Sequence, residues 1–218
     1  MRVPRLPKRL RHLRRDTTFR PMDLVYIYAD ESCLGNQYKD RDNPGGAGGL
    51  VELWRDDGCV RRDYWSSESG TTNNRMALIG ATDLLSALTR PCRIIFTSDS
   101  QYLVTGMREW IHGWAARGWK RKTGAIENVE LWRALAAAAG RHAIDWRWVR
   151  GHAGHPQNEY ADELAVRAAK EQSSSGGLVE SKFVEWLEGH REKRQKYMDF
   201  FEMKAPEEKG FKAARTPP

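Results

Sequence analysis

The sequence predicts an α/β fold in which helices pack on a mixed β-sheet. Two apolar runs rich in β-branched residues, at residues 24–29 and 93–98, each end at an aspartate, as buried strands do where they reach a polar edge. Two more strand-like runs, 47–54 and 59–67, flank Asp56-Asp57-Gly58, and an Asp-Gly step is a strong hairpin signal. A hairpin combined with strands joined through helices predicts antiparallel and parallel pairs in one sheet.

The remaining elements follow from local signals. Thr71-Thr72-Asn73-Asn74 offers capping residues for a helix that runs to about residue 88, and Pro91 closes it. Further helices are predicted at 100–110, 129–139 and 159–171, and a further strand at 144–149. The predicted order is βββαβααβα, which gives a five-stranded sheet.

Length and composition limit the class of protein. The 218 residues, with 40% hydrophobic and 30% charged side chains, suit one domain with tails and not a disordered polyelectrolyte. No run approaches the roughly 20 apolar residues that a bilayer crossing needs, so we expect no membrane partner. The three cysteines lack C-x-x-C spacing, which argues against a disulfide framework or a zinc cluster and favours a reducing, cytoplasmic location.

Charge is concentrated at the N-terminus. Residues 1–20 hold eight of the 36 basic residues and one of the 29 acidic residues, so the other 198 residues carry 28 of each and are neutral. Affinity for a polyanion must therefore come from this arm or from a local patch. An Arg-rich, acid-poor leader also fits an organelle-targeting peptide, and translation from Met22 is a further alternative.

Three aspartates form the candidate site. Asp30 and Asp99 each follow a predicted strand, and if those strands are parallel neighbours both carboxylates emerge at one edge of the sheet. Asp162, in the first turn of the predicted 159–171 helix, can reach the same edge. Each alone would suit a cap or a turn, but three converging carboxylates repel one another unless cations neutralise them. They suit Mg²⁺ and phosphodiester hydrolysis by two ions about 4 Å apart.

Five segments, in order over residues 24–170, resemble type 1 ribonuclease H. They are Tyr-Ala-Asp-Glu-Ser-Cys-Leu-Gly-Asn at 28–36, Thr-Thr-Asn-Asn-Arg-Met at 71–76, Thr-Ser-Asp-Ser-Gln-Tyr at 97–102, the Trp-rich basic segment 110–120, and Trp-Val-Arg-Gly-His-Ala-Gly-His-Pro-Gln-Asn-Glu at 148–159. The resemblance implies a ribonuclease H-like fold and an enzyme that hydrolyses the RNA strand of RNA/DNA hybrids, leaving 5′-phosphate ends. It implies two Mg²⁺ ions, with Mn²⁺ as a substitute.

The resemblance also implies roles for individual residues. Asp30, Asp99 and Asp162 fall on metal-binding positions, and His152 falls on a catalytic histidine that assists proton transfer or product departure. Without the resemblance, His152 would be interpreted as a structural loop histidine. The implied hybrid-binding positions are Asn36, Thr72, Asn73, Asn74, Gln101, Trp110, Trp114, Trp119 and Lys120.

These binding residues divide into two sets. The short polar side chains suit minor-groove edges and 2′-hydroxyls, with Thr72 near a DNA phosphate, although Thr72 or Asn73 can equally cap a helix. The Trp and Lys residues resemble the family's basic protrusion, which grips the DNA strand. Tryptophans at helical spacing are commonly core residues, so we expect Trp110 and Trp114 to be partly packed.

The chain departs from the family at the fourth metal-site carboxylate. Ala77 stands where the family has a glutamate, and this change predicts impaired cleavage, commonly by ~10²- to 10³-fold. Glu31 is adjacent to Asp30, but neighbouring strand residues point to opposite faces, so we do not expect it to substitute. A deliberate substitution and a natural variant both remain open.

The expected organisation has four parts. A disordered basic arm at 1–21 precedes the catalytic domain at 22–172, a flexible linker at 173–177, and a charged C-terminal helix and tail at 178–218, with the helix over 178–204. We expect a monomer, with the C-terminal helix available to a protein partner. Two other hypotheses are a non-catalytic hybrid-binding module and an integrase-like nuclease that acts on DNA. Retained Asp30, Asp99, Asp162 and His152 argue against the first, and the segments 71–74 and 151–155 argue against the second.

Overall fold

The computed structural model of the chain describes residues 22–35, 43–55, 58–206 and 210–214. Its centre is a six-stranded mixed sheet with the strand order β5-β4-β1-β2-β3-β6. The strands are β1 Leu24–Cys33, β2 Gly45–Arg55, β3 Gly58–Glu68, β4 Arg93–Ser98, β5 Ala143–Trp148 and β6 Val179–Glu180. The mixed sheet is confirmed, and β6 is a short sixth strand that the prediction lacked. Residues 1–21 and Asn36 lie outside the described residues.

The register of β1 positions the site. β1 pairs antiparallel with β2 and parallel with β4, and the last parallel pair joins Ala29 to Ser98. β1 then continues to Cys33 while β4 has ended, so Asp30 and Glu31 lie beside the space that β4 leaves. Asp99 follows Ser98 directly at this edge.

Helices cover both faces of the sheet. They are α1 Asn73–Ser86, α2 Gln101–Thr105, α3 Ile111–Ala116, α4 Val129–Ala139, α5 Pro156–Glu171 and α6 Phe183–Arg194, with a π-helical turn Gly106–Trp110 between α2 and α3. Strand residues alternate between the two layers: Ile27 packs with α1 and α4, and Tyr28 packs with α5 and α6. Within the described residues, no helix is long and apolar enough to cross a membrane.

The close approach of α5 to β2 brings the start of this helix to the site. A Cβ atom on Gly48 would lie 2.2 Å from the Ala161 carbonyl oxygen, so only glycine allows this packing. α5 begins at Pro156, three residues before the predicted start, because proline suits the first turn of a helix. Asp162 therefore lies in the second turn and not in the first.

The C-terminal part differs from its prediction. Residues 173–177 do not form a free linker, since Ser175 donates its amide to the Trp65 carbonyl at 2.9 Å and β6 then pairs with β3. The predicted helix over 178–204 is shorter, because α6 ends at Arg194 where Gln195 takes the left-handed conformation with φ 52°. Phe183 and Leu187 of α6 are fully buried.

Candidate active site

Three carboxylates meet at the carboxyl end of β1 and β4. Asp30, Glu31 and Asp99 each present an oxygen within 4.8 Å of the other two. The expectation that Glu31 points away was wrong. Within a sheet, successive side chains of a strand point to opposite faces. Since β4 ends at Ser98, no strand in the described part of the chain lies beside residues 30 and 31 on that side, and both side chains reach the space that β4 leaves.

Hydrogen bonds fix the orientation of these side chains. Asp30 accepts from the Glu31 amide at 2.7 Å and from Nδ2 of Asn158 on α5 at 2.8 Å. Trp148 donates Nε1 to the Asp99 carbonyl at 2.8 Å, which holds the turn after β4. The Ser100 side chain hydrogen-bonds the Glu31 carboxylate. The cluster is therefore preorganised by β1, β5 and α5 together.

The carboxyl groups resist ionisation in the absence of a cation. Burial, followed by the charges of Asp99 and Glu31, raises the pKa of Asp30 to about 9. Burial and the charge of Asp99 raise the pKa of Glu31 to about 8. Burial also raises the pKa of Asp99. An all-oxygen set that holds protons this strongly fits a hard divalent cation, which supplies the missing positive charge.

Asp162 and His152 lie at the border of this cluster. Asp162 is not one of the three closely spaced carboxylates, but its charge contributes to the raised pKa values of Asp30 and Glu31. Burial raises the pKa of Asp162, and the charge of His152 opposes that rise. His152 is exposed, in a left-handed conformation with φ 53°.

The loop that carries His152 packs directly on Asp99. A Cβ atom on Gly151 would lie 2.3 Å from Asp99 Oδ2. The reason for glycine at this position is the lack of space for a side chain. The backbone conformation is not the reason, because the φ of Gly151 is not positive.

Four of the polar residues that the sequence predicts to bind hybrid lie at the starts of α1 and α2. Thr72 is the N-cap of α1 and accepts from the Arg75 amide at 3.3 Å, as the capping interpretation predicts. Asn73 and Asn74 are the first residues of α1, and the buried Oδ1 of Asn73 has no hydrogen-bond partner among the described residues. Gln101 is exposed at the start of α2.

The tryptophans form a separate aromatic cluster. The rings of Trp110 and Trp114 are 5.8 Å apart, and both contact the fully buried Trp132, which confirms their partial packing. Trp110 remains 36% exposed. Trp119 lies beneath the Arg133 guanidinium at 5.7 Å, and Lys120 is exposed. These residues are thus not part of the cluster formed by Asp30, Glu31 and Asp99.

Sequence reasoning missed several residues that orient the site. Glu31, Ser100, Trp148 and Asn158 all act on the carboxylates, yet no role was predicted for them. Asn158 and Trp148 lie inside the 148–159 segment that carried the resemblance, which is the one signal that could have selected them. Ala77 is buried within α1, in the core.

Comparisons with known proteins agree with this geometry. The profile of the RNase H family matches residues 22–170. A ribonuclease H from Herminiimonas arsenicoxydans is 47% identical over 155 residues, which cover 71% of this chain and 100% of that protein. A ribonuclease HI from Caulobacter vibrioides is 47% identical over 142 residues, covering 65% of this chain and 89% of that protein.

A solved structure agrees as well. A protein described as a type 1 RNase H with the type 2 active-site motif is 49% identical, with a TM-score of 0.78, covering 91% of this chain and 95% of that one. The RNase H domain of a foamy virus, at 16% identity and a TM-score of 0.59, shares the fold.

The mixed sheet, the carboxylates that cluster where β4 ends beside β1, and these relatives together define a nuclease with an α/β fold. The chain belongs to the ribonuclease H family, and its relatives are enzymes named ribonuclease H and ribonuclease HI.

Proposed function

We propose that the chain hydrolyses RNA in hybrids with two divalent cations, Mg²⁺ with Mn²⁺ as a substitute, held by Asp30, Glu31, Asp99 and Asp162. One observation carries this proposal: Asp30, Glu31 and Asp99 each place a carboxylate oxygen within 4.8 Å of the other two. When bound, such ions neutralise charge on the phosphate and lower the pKa of a water molecule.

The protein's own contribution is orientation. Asn158 and the Glu31 amide fix Asp30, and Trp148 fixes the backbone at Asp99, so the acceptor oxygens are in place before substrate binds. The exposed imidazole of His152, beside Asp99 and Asp162, carries the proton to the 3′-oxygen that leaves the phosphate.

The proposed binding surface extends from the carboxylates to the aromatic cluster. Thr72, Asn73, Asn74 and Gln101, together with Asn36, contact the minor groove and a DNA phosphate. Trp110, Trp114, Trp119 and Lys120 contact the DNA strand. The position of Thr72 and the two asparagines at the N-terminus of α1 supports this, because a helix N-terminus favours a phosphate.

Glu31 offers the carboxylate that Ala77 lacks. The alanine at position 77 predicts impaired cleavage. Because the Glu31 carboxylate lies with those of Asp30 and Asp99, we propose that Glu31, on β1, supplies part of the metal contact that a glutamate at position 77 would make. The relative described as a type 1 RNase H with the type 2 active-site motif supports this proposal, since there too a type 1 fold carries a different active-site motif.

The test compares hybrid cleavage by four chains in Mg²⁺ and, separately, in Mn²⁺. These are the parent, Glu31→Gln, Ala77→Glu, and the double variant. We expect Glu31→Gln to lose ~10²- to 10³-fold in kcat, and Ala77→Glu to restore a large part of that loss in the double variant. Glu180→Gln, which changes an exposed glutamate on β6, is the matched control.

Two outcomes would contradict the proposal. Unchanged cleavage by Glu31→Gln would remove Glu31 from the metal site. If no chain cuts but all bind hybrid, the chain is a binding module, for which the buried Ala77 at the family's glutamate position is the supporting observation.

A further inference from the structure

A carboxylate on α5 holds the loop that carries His152. Gly154 donates its amide to Oε1 of Glu159 at 2.9 Å. Glu159 is itself fixed in the first turn of α5, where its amide donates to the His155 carbonyl at 2.9 Å. The position of the loop therefore depends on the orientation of the Glu159 side chain.

The other oxygen of that carboxylate belongs to the C-terminal segment. The Tyr197 hydroxyl donates to Oε2 of Glu159, and Lys196 Nζ lies 3.9 Å from the same atom. Each carboxylate oxygen is thus engaged, one by the loop and one by a segment that lies 27 residues beyond the family match at 22–170. A carboxylate held at both oxygens cannot rotate freely.

Tyr197 is held independently of the loop. Its ring stacks on Trp186 of α6, with centroids 5.5 Å apart and an interplanar angle of 27°. Trp186 donates Nε1 to Glu163 of α5 at 2.7 Å. Arg191 donates to the Tyr197 carbonyl at 3.5 Å. The tyrosine is therefore a fixed point to which Glu159 can be anchored.

We infer that Tyr197 is a positioning residue for His152, acting through Glu159 and Gly154. The inference rests on the role proposed above for His152. His152 is exposed and lies in a left-handed conformation that non-glycine residues adopt rarely, so its loop needs restraint from outside. Without Tyr197 the Glu159 carboxylate turns, Gly154 exchanges its partner for water, and the imidazole spends less time at the leaving oxygen.

The first test uses Tyr197→Phe in the full chain, which keeps the ring on Trp186 and removes only the hydroxyl. Tyr26→Phe is the matched control, because the Tyr26 hydroxyl donates to the Pro206 carbonyl of the same C-terminal segment at 3.0 Å without contacting Glu159. Exchange of the Gly154 amide proton with water is measured by NMR without substrate. We expect about 3- to 10-fold faster exchange in Tyr197→Phe and no change in Tyr26→Phe.

Steady-state cleavage of hybrid then separates positioning from binding. We expect kcat of Tyr197→Phe to fall by about the same 3- to 10-fold, with KM unchanged. Glu159→Gln should behave like the parent, since its carbonyl oxygen accepts from Gly154 and its amide donates to the Tyr197 oxygen. Glu159→Ala should show the fast exchange and the low kcat, because it loses both contacts.

Gly154 exchange at the parent rate in Tyr197→Phe would overturn the inference. Faster exchange with unchanged kcat would also overturn it, since the loop would then move without consequence for turnover. If the parent itself cuts no hybrid, the proposed function fails, and the amide measurement still decides whether Tyr197 positions the loop.

Discussion

Single carboxyl groups make the cation-free chain sensitive to pH. Asp30 and Glu31, with pKa values of about 9 and about 8 in the folded chain, hold protons that they release on unfolding, because an unfolded carboxyl titrates near pH 4. Between pH 4 and 9 these two groups therefore bind more protons in the folded state than in the unfolded state. Their contribution to the free energy of unfolding falls as the pH rises through this range.

Asp30→Asn should remove the cost of ionising the buried Asp30 carboxyl group beside Asp99 and Glu31. In EDTA at pH 8 we expect the variant to be more stable than the parent by at least about 1 kcal/mol, which is about 2–4 °C in the midpoint, with a smaller gap at pH 4.5. Added Mg²⁺ should stabilise the parent more than the variant. Thermal unfolding at the two pH values checks this, with the exposed Asp199→Asn as control. Equal pH profiles for parent and Asp30→Asn would contradict the raised pKa.

Gly151→Ala should distort the site, although alanine can adopt the backbone conformation of residue 151. The new Cβ would lie 2.3 Å from Asp99 Oδ2, so the carboxylate or the His152 loop must move. We expect kcat to fall by about tenfold or more, since displacements of about 1 Å are costly at reacting centres.

The matched control is Gly189→Ala in α6, where nothing lies within 4 Å of the new Cβ. It should leave cleavage unchanged and raise the free energy of unfolding by about 0.5–1 kcal/mol. Cleavage rates and urea unfolding of both variants are the measurements. Parent-like kcat in Gly151→Ala would show that Asp99 tolerates displacement.

The positions of Asp30 and Asp99 could be predicted because each follows an apolar run that forms a buried strand, although β1 continues past Asp30 to Cys33. Glu31 could not, because the alternation rule describes a strand with neighbours on both sides, and whether β4 reaches residue 31 depends on register. Asn158 and Trp148 depend on how α5 and β5 approach the strand ends, which is a tertiary property.

At the scale of elements, α6 completes the second layer of the core. Phe183 is fully buried against Tyr160, with ring centroids 5.4 Å apart, and packs with Trp186 and Phe200. Beneath the helix, Arg61 pairs with the buried Glu52 at 2.7 Å and lies 5.4 Å from the Phe183 ring. The C-terminal part is thus a structural component of the domain.

Phe183→Ala should reduce the free energy of unfolding by about 3–5 kcal/mol, through lost burial and a cavity between α5 and the sheet. Phe201→Ala, which removes the same side chain at a position that is 68% exposed, should change it by less than about 0.5 kcal/mol. Urea unfolding of the two variants makes the comparison. A small effect at Phe183 would mean that α6 detaches easily from the core.

Element boundaries were less predictable than element types. The sequence contains the apolar residues that dock α6, but Val179–Glu180 forms a strand of two residues, too short for any alternation to be recognised. The charged run after Arg194 continues the helical composition, and only the left-handed backbone at Gln195 ends the helix. These features depend on pairing with β3 and on packing, which act beyond the local sequence.

For the whole molecule, charge divides the chain into a basic arm and a neutral body. The body offers exposed cations at the protrusion, including Lys120, Arg121 and Lys122, and Arg121 lines a surface pocket together with Trp110 and Trp114. The arm, which lies outside the described residues, contributes +7 by sequence. Each phosphate contact adds about 0.7–0.9 to the slope of log Kd against log salt concentration.

A chain that starts at Met22 should therefore bind hybrid with a slope smaller by several units than the full chain, and with weaker affinity at low salt. Lys120→Ala in the full chain should lower the slope by about one unit. The measurement is titration of a cleavage-blocked hybrid at salt concentrations from 50 to 300 mM, roughly the range in which such slopes are resolved. An unchanged slope after removal of residues 1–21 would assign all phosphate contacts to the body, and the arm would then have no part in holding the hybrid.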